Sequence, residues 1–554
     1  MARGDAPADL VLRGGRVLSV FTREWLEADV AVCDGHVVGL GRYEGARTLD
    51  LRGAYLAPGL IDAHVHIESS KLTPDQFARA VLPRGTTAIV ADPHEIGNVL
   101  GSDGIHWLLD TLDAVPLDVF VMAPSCVPAS PFESPRQELS VGAIAGLLRR
   151  RRVIGVAEMM NFPGVVAGDA SELAKLQTGL TDHADGHAPG VRGPALNAYV
   201  AAGIASDHEA TTYEEALEKR RLGMAIMLRE ASNARNLVDL LPLALTYGPE
   251  GLMFCTDDRE PDFIEAEGHV NQMVRLAVAN GVRAEDALVM ASWSSAQFHR
   301  LPRLGAIAPG FQADLLVLDD LERFEPRLVL KRGRPPEAVP VPVPDWALRT
   351  VRPAPVDAGS FRLPGPPGAR VRAIRVIPGQ LLTGEDVVDG QVRDGWLEAD
   401  PARDLAKVAV VERHHATGRV GIGFVTGTGL RRGAFASTVA HDAHNIVVLG
   451  ADDASMAACV SRLAEVGGGI VLAEAGRPID ELPLSVAGLM SDRPLEEVAA
   501  AMRRLEGRVR RMGVHVESPF MAVSFLALSV IPRLKITDRG LIDVDRFRVV
   551  PVVL

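Results

Sequence analysis

What this chain of 554 residues lacks narrows its function before any motif is considered. Its four cysteines, Cys33, Cys126, Cys255 and Cys459, lie far apart with no Cys-x-x-Cys pair. That excludes a disulfide framework and a thiolate zinc site, and it leaves four expected buried thiols. There is no run of about 18 apolar residues and no apolar core behind Met1-Ala-Arg-Gly-Asp-Ala-Pro, so neither a membrane span nor a leader is expected and the protein is expected in the cytoplasm. A basic excess is missing as well. With 58 Lys and Arg against 71 Asp and Glu, the net charge of −13 has the wrong sign for a phosphate backbone, so nucleic acid is excluded as a partner and any nucleobase-related ligand is expected as a free small molecule. Thr426-Gly427-Thr428-Gly429 lacks the Gly-Lys-Ser/Thr of a phosphate loop and the spacing of a dinucleotide fingerprint, and reads as a tight turn.

What is present is an ordinary globular composition, 47% hydrophobic and 23% charged, on a chain long enough for two or three cores. The most informative stretch is Ala57-Pro58-Gly59-Leu60-Ile61-Asp62-Ala63-His64-Val65-His66-Ile67-Glu68. It reads as a buried strand whose end turns His64 and His66 to the same side, because strand side chains repeat every second residue. Two imidazoles held that way can clamp a metal.

The Pro-Gly-x-x-Asp-x-His-x-His wording resembles the first barrel strand of the amidohydrolase superfamily, metal-dependent hydrolases on a (β/α)8 barrel. Other parts of the chain agree with that fold. Short strands between Asp9 and Gly59, with an Asp34-Gly35 hairpin turn, return in kind at Leu304–Asp319 and at Val329–Arg334. The resemblance implies that both flanks pair into one composite β domain, 1–59 with 303–339, shaped as a small sandwich. Between 60 and 302, strand-like runs alternate with helical stretches, the pattern of a parallel barrel of the TIM type. A Pro-rich linker is expected over 340–370. Residues 371–554 read as a C-terminal α+β domain, with strands such as Ile446–Gly450 and helices at Asp453–Val466 and Leu495–Met512.

Candidate barrel strands end at His66, Asp92, Ala123, Glu158, His187, His208 and Asp257, and strand ends converge on one mouth. His64, His66, Glu158, His187, His208 and Asp257 are therefore the expected metal ligands, four imidazoles and two carboxylates suited to two divalent ions, Mn first and Fe or Zn as alternatives. His187 is preferred to His183 because Gly186 and Pro189 mark the exit from a strand. Because adjacent strand residues face opposite ways, only one of Asp257 and Asp258 should point inward, and Asp257 is taken as ligand, with Asp258 as a supporting or substrate contact.

Most binuclear members of the superfamily bridge their metals with a carboxylated Lys at the end of the fourth strand. This chain has Glu158 there, and Lys175 is expected on a surface helix. Glu158, together with Ile67-Glu68-Ser69-Ser70, Asp92-Pro93-His94-Glu95 and Phe254-Cys255-Thr256-Asp257-Asp258-Arg259, closely resembles the bacterial and archaeal adenine deaminases, nearly end to end. That resemblance implies hydrolytic deamination of adenine to hypoxanthine and ammonia in purine salvage, by hydroxide that two metals generate from a shared water. Asp257 would shuttle the proton, Glu95 or Glu209 would protonate the purine ring, and Asp258, His94 and Glu68 would contact substrate or orient ligands. The C-terminal domain, with His441 and His444, is expected to pack near the barrel mouth or to build an interface of a homodimer or higher homo-oligomer, without chemistry of its own. Two rivals remain, a cyclic amide hydrolase, for which the bridging Lys is absent, and a metal-free binding relative, for which the ligand positions would be lost.

Overall fold

The computed structural model describes residues 1–178, 183–337 and 339–554. Thr181 and Asp182, beside His183, lie outside the described residues. Parallel strands form the centre. Leu60–Val65 (β1), Thr86–Ala91 (β2), Asp118–Ala123 (β3), Val153–Met159 (β4) and Ala184–Gly186 (β5) pair in sequence order. Ser206–Asp207 (β6), Ala225–Arg229 (β7) and Leu252–Cys255 (β8) make a second sheet. Single parallel bridges, Ala184 with Ile204 and Val65 with Asp257, link the two sheets. Every residue of β1, β2, β7 and β8 is buried, as expected where helices cover one face of a parallel sheet and side chains fill the other. β7 is the strand that the sequence alone does not single out. It follows the helix Tyr213–Arg221 after a turn at Gly223, where φ is +92°.

Two glycines show why the strand motifs need them. A Cβ on Gly59 would sit 2.1 Å from Thr87 Oγ1, and one on Gly186 would sit 2.3 Å from the Ser206 carbonyl oxygen. Both sites are close approaches between neighbouring strands.

Outside the centre, strands from both flanks share one seven-stranded sheet. Leu315–Leu318 runs antiparallel to Tyr55–Pro58, which lies beside Ala8–Ser19. The turn between Glu24–Cys33 and His36–Leu40 has positive φ at both Asp34 (+47°) and Gly35 (+72°), the requirement of a two-residue hairpin whose twist matches its strands. The C-terminal region builds an eight-stranded sheet carrying the helices Asp453–Val466 and Leu495–Arg511. The Thr426–Gly429 word is a turn there, its Gly427 and Gly429 N–H groups donating to the Asp404 carboxylate at 2.8 and 2.7 Å. One continuous apolar core runs from Val65 and Phe77 through Leu449 and Leu505. Lys71 and Thr73, just past β1, exchange backbone hydrogen bonds with Ser491 at 2.8 and 3.2 Å. The C-terminal region is thus packed directly over the ends of the central strands.

Candidate active site

The polar strand ends converge. His64 and His66 leave β1 on one side with their Nε2 atoms 3.1 Å apart. His66 Nδ1 lies 3.0 Å from the Asp92 carbonyl oxygen, an acceptor, so that nitrogen carries the proton and the neutral ring presents a lone pair at Nε2. That lone pair faces Asp257 Oδ1 at 3.1 Å and Glu158 Oε1 at 3.4 Å, while His64 Nε2 lies 3.6 Å from each of the same oxygens. Acceptors crowded so closely require a cation or added protons among them. Protein alone answers with protons: burial opposes the charge on His64, but hydrogen bonds to Asp257 and Glu158 prevail and push the imidazole up to about 10. Burial likewise opposes ionisation of Glu158, yet hydrogen bonds from His187, His208, His64 and His66 hold its carboxyl well below the usual range.

Glu158, at the end of β4, divides its two oxygens. Oε1 faces the β1 histidines, whereas Oε2 lies 2.7 Å from His187 Nδ1 and 3.3 Å from His208 Nε2. His187 Nε2 and His208 Nδ1 have no partner among the described residues. This donor set, imidazole nitrogens and carboxylate oxygens at the ends of neighbouring strands, fits divalent ions of the first transition row.

Asp257 and Asp258 depart from the alternation expected of a strand. β8 ends at Cys255 and Asp257 has φ +52°, so the chain has already turned and both carboxylates line the same cavity. Asp257 Oδ1 faces His66, and its Oδ2 accepts from Arg229 at 2.8 Å. Arg229, at the end of β7 and 1% exposed, also donates to Glu209 from both terminal nitrogens, NH2 to Oε2 at 3.2 Å. Burial would raise Glu209, but the charge of Arg229 outweighs it and holds the carboxyl below its ordinary value. Glu209 lines the cavity beside His187 and His208.

Glu68 and Glu95 lie behind the cavity wall. Burial and the charge of Glu95 raise Glu68 to about 8, and its Oε1 accepts from the Ile96 N–H at 3.2 Å. Burial also raises Glu95, against the opposing charge of His441. Ser69 Oγ donates to Glu95 Oε1 at 2.8 Å and is also in contact with Asp258 Oδ1. His94 lies on the cavity wall with Nδ1 3.0 Å from Asp92 Oδ2.

The structure therefore gathers His64, His66, Glu158, His187, His208, Asp257, Asp258, His94, Glu209, Glu95 and Glu68 around one buried cavity and what lies directly behind it. Lys175 stands apart on the helix Ala170–Thr178, half-buried, with Nζ donating to the Ser125 carbonyl at 3.0 Å and paired with Glu172. Residues that sequence reasoning missed are Arg229, Ser69, Asp92 in its side-chain role, and His441 and Asp442 of the C-terminal region, which line the cavity with Leu381, Phe525 and Leu528.

Comparison with known proteins gives two family matches, the amidohydrolase family over residues 55–335 and the adenine deaminase C-terminal domain over residues 380–548. The adenine deaminase of Desulfatibacillum aliphaticivorans is 45% identical over 560 residues, spanning 99% of this chain and 98% of that protein. That of Archaeoglobus fulgidus is 46% identical over 551 residues, spanning 99% and 96%. Among solved structures, an N-acetyl-D-glucosamine-6-phosphate deacetylase from Mycobacterium smegmatis is 20% identical with a TM-score of 0.45, over 59% of this chain and 99% of that one.

Proposed function

The chain belongs to the adenine deaminase family of the amidohydrolases, and from that premise we propose that it hydrolyses adenine to hypoxanthine and ammonia. We read the eight parallel strands as a closed (β/α)8 barrel over 60–302, flanked by a composite β domain (1–59 with 303–339), a linker (340–370) and a C-terminal domain (371–554). The observation that carries the site assignment is the division of Glu158, with one oxygen toward His64 and His66 and the other toward His187 and His208. His64, His66, Glu158, His187, His208 and Asp257 are the residues that would hold divalent ions, Mn first, and the chemistry such ions would supply is a hydroxide nucleophile at neutral pH.

The remaining work falls to the chain's own residues. Asp257, held ionised by His64, His66 and Arg229 against its burial, accepts the proton that the attacking water loses and returns it to the departing amino nitrogen. Glu95, raised by its burial and joined to Asp258 through Ser69, supplies a proton to a ring nitrogen and drains charge from the ring under attack, and it regains a proton from the hydroxyl of the tetrahedral centre as the amine leaves. Glu209 stays a carboxylate and holds Arg229 against Asp257. Met160, Leu381, Phe525 and Leu528 supply the apolar surface on which a flat ring can lie.

Ammonia release from adenine, adenosine, cytosine and dihydrouracil, measured side by side with added Mn, tests this reading. Adenine alone should respond. Turnover of dihydrouracil with silence on adenine would overturn it.

A further inference from the structure

The cavity has two walls of different origin. The strand ends provide one, with the ligand cluster. The other comes from three separated segments of the C-terminal region, represented by Leu381, by His441 with Asp442, and by Phe525 with Leu528. These segments are tied to one another. Lys535, wholly buried on the strand Leu534–Thr537, donates from Nζ to the carbonyls of both Leu381 and Phe525 at 2.9 Å. The His441 ring lies flat on Phe525, with centroids 4.5 Å apart and planes 12° from parallel, and the His441 N–H donates to Ser524 Oγ at 3.1 Å.

A wall so fixed leaves one anionic acceptor open to the cavity. Asp442 is 2% exposed, and its Oδ2 has no partner among the described residues. Its Oδ1 faces His441 Nδ1 at 3.3 Å and His94 Nε2 at 3.6 Å. His441 lies with Nδ1 3.3 Å from Glu95 and Nε2 3.7 Å from Asp258, the latter beyond hydrogen-bond reach. A buried carboxylate oxygen with spare capacity is costly unless a ligand donates to it. His94 sets the distance. It lies between Glu158 Oε1, 3.7 Å from its Nδ1, and Asp442, so Asp442 stands one imidazole ring beyond the bridging carboxylate. A purine whose six-membered ring is attacked beside Glu158 extends its five-membered ring over about that width.

We propose that the C-terminal wall is the base-recognition half of the pocket, and that Asp442 accepts a hydrogen bond from the N–H of the purine's five-membered ring. A free 6-aminopurine carries one such N–H and a nucleoside carries none, so Asp442 selects the free base. This inference rests on the adenine reading above and adds the residue that reads the far edge of the substrate.

The test is steady-state kinetics of the Mn-loaded holoenzyme and of Asp442→Asn and Asp442→Ala, on adenine, 7-methyladenine and 9-methyladenine, with bound metal measured on each protein. The wild type should reject both methylated bases by at least about 100-fold in kcat/KM, because a site built for an N–H discriminates strongly against its loss. Both variants should keep their metal and raise the KM for adenine by about 10- to 100-fold, the worth of a hydrogen bond to a buried charge. In Asp442→Ala the gap between adenine and 9-methyladenine should narrow because adenine alone is penalised. The isosteric Asn variant guards against a packing effect of the Ala one. Equal wild-type turnover of the methylated bases, an unchanged KM in both variants, or loss of metal with Asp442 would overturn the proposal while leaving the deaminase reading intact. A holoenzyme silent on adenine would overturn both.

Discussion

Replacing Arg229 by Met should destabilise the protein far more than loss of an ordinary surface cation. The guanidinium is 1% exposed and holds two carboxylates, Asp257 Oδ2 at 2.8 Å and Glu209 through both nitrogens. Met keeps the apolar stem and much of the volume, so the change removes a charge and its hydrogen bonds while opening little cavity. Two carboxylates are left facing each other in a buried site. Breaking a buried ion pair costs about 3–5 kcal/mol, and a domain of barrel size shifts by roughly 2–4 °C per kcal/mol, so the thermal midpoint of chelator-stripped protein should fall by roughly 6–20 °C at pH 7.

The sign of the pH dependence follows from Glu209, whose carboxyl Arg229 holds below its ordinary value. Stability from a depressed carboxyl is present above the unfolded value and is lost as pH falls through the folded one. In the variant burial raises Glu209 with only His187 and His208 left to oppose it, so the wild-type advantage is greatest near neutrality and should shrink toward about pH 4, where the variant's carboxyl takes up a proton while the wild-type carboxylates are still largely ionised. Added Mn should restore part of the loss, because a cation held by Asp257 would replace some of the missing charge. Calorimetry of both proteins between pH 4 and 8, with and without Mn, measures all of this. A midpoint within about 2 °C of wild type in metal-free protein at pH 7, or a gap that widens on acidification, would refute the reasoning.

Three further outcomes bear on the site itself. Glu158→Gln should lower bound metal and ammonia release together, since an amide cannot serve two cations as a carboxylate does; full metal content with near-normal turnover would show that another group bridges. Asp257→Asn keeps size and one ligand oxygen but cannot accept a proton, so turnover should fall by about 10²- to 10⁴-fold while much of the metal stays. Asp258→Asn should cost less and act mainly on KM, because an amide N–H can still donate to the ring; the reverse pattern would exchange the two roles.

Much of this site is legible in the sequence because its signals are local. His64 and His66 sit two apart on one strand, Gly59 and Gly186 mark close strand contacts, and the helix Asp453–Val466 begins at the Asp452 cap and stops at Gly467, where φ is +85°. What is not legible depends on distant partners. Arg229 closes the run Ala225–Arg229, five buried residues that periodicity cannot separate from a helix segment, and its meaning comes from Glu209 and Asp257, 20 and 28 positions away. The alternation rule misjudges Asp258 because the backbone at Asp257 has left the strand. Asp442 and His441 lie in a polar word with no ligand spacing, and only the packing of the C-terminal sheet carries them to Asp258 and His94.

These partners also bear on how the site would take up metal. The outer carboxylates are neutralised by the chain's own cations, Asp207 by Lys219 at 2.8 Å, Glu260 by Lys71 at 2.8 Å, and Glu209 and Asp257 by Arg229. Glu158, at the centre, faces only imidazoles. A neutral imidazole offers a lone pair and no charge, so without metal the inner carboxylate is balanced by a proton on His64, whose imidazole rises to about 10. Metal must displace that proton to bind. Metal held there would therefore be weakened by a fall in pH, as protons on the imidazoles compete with it.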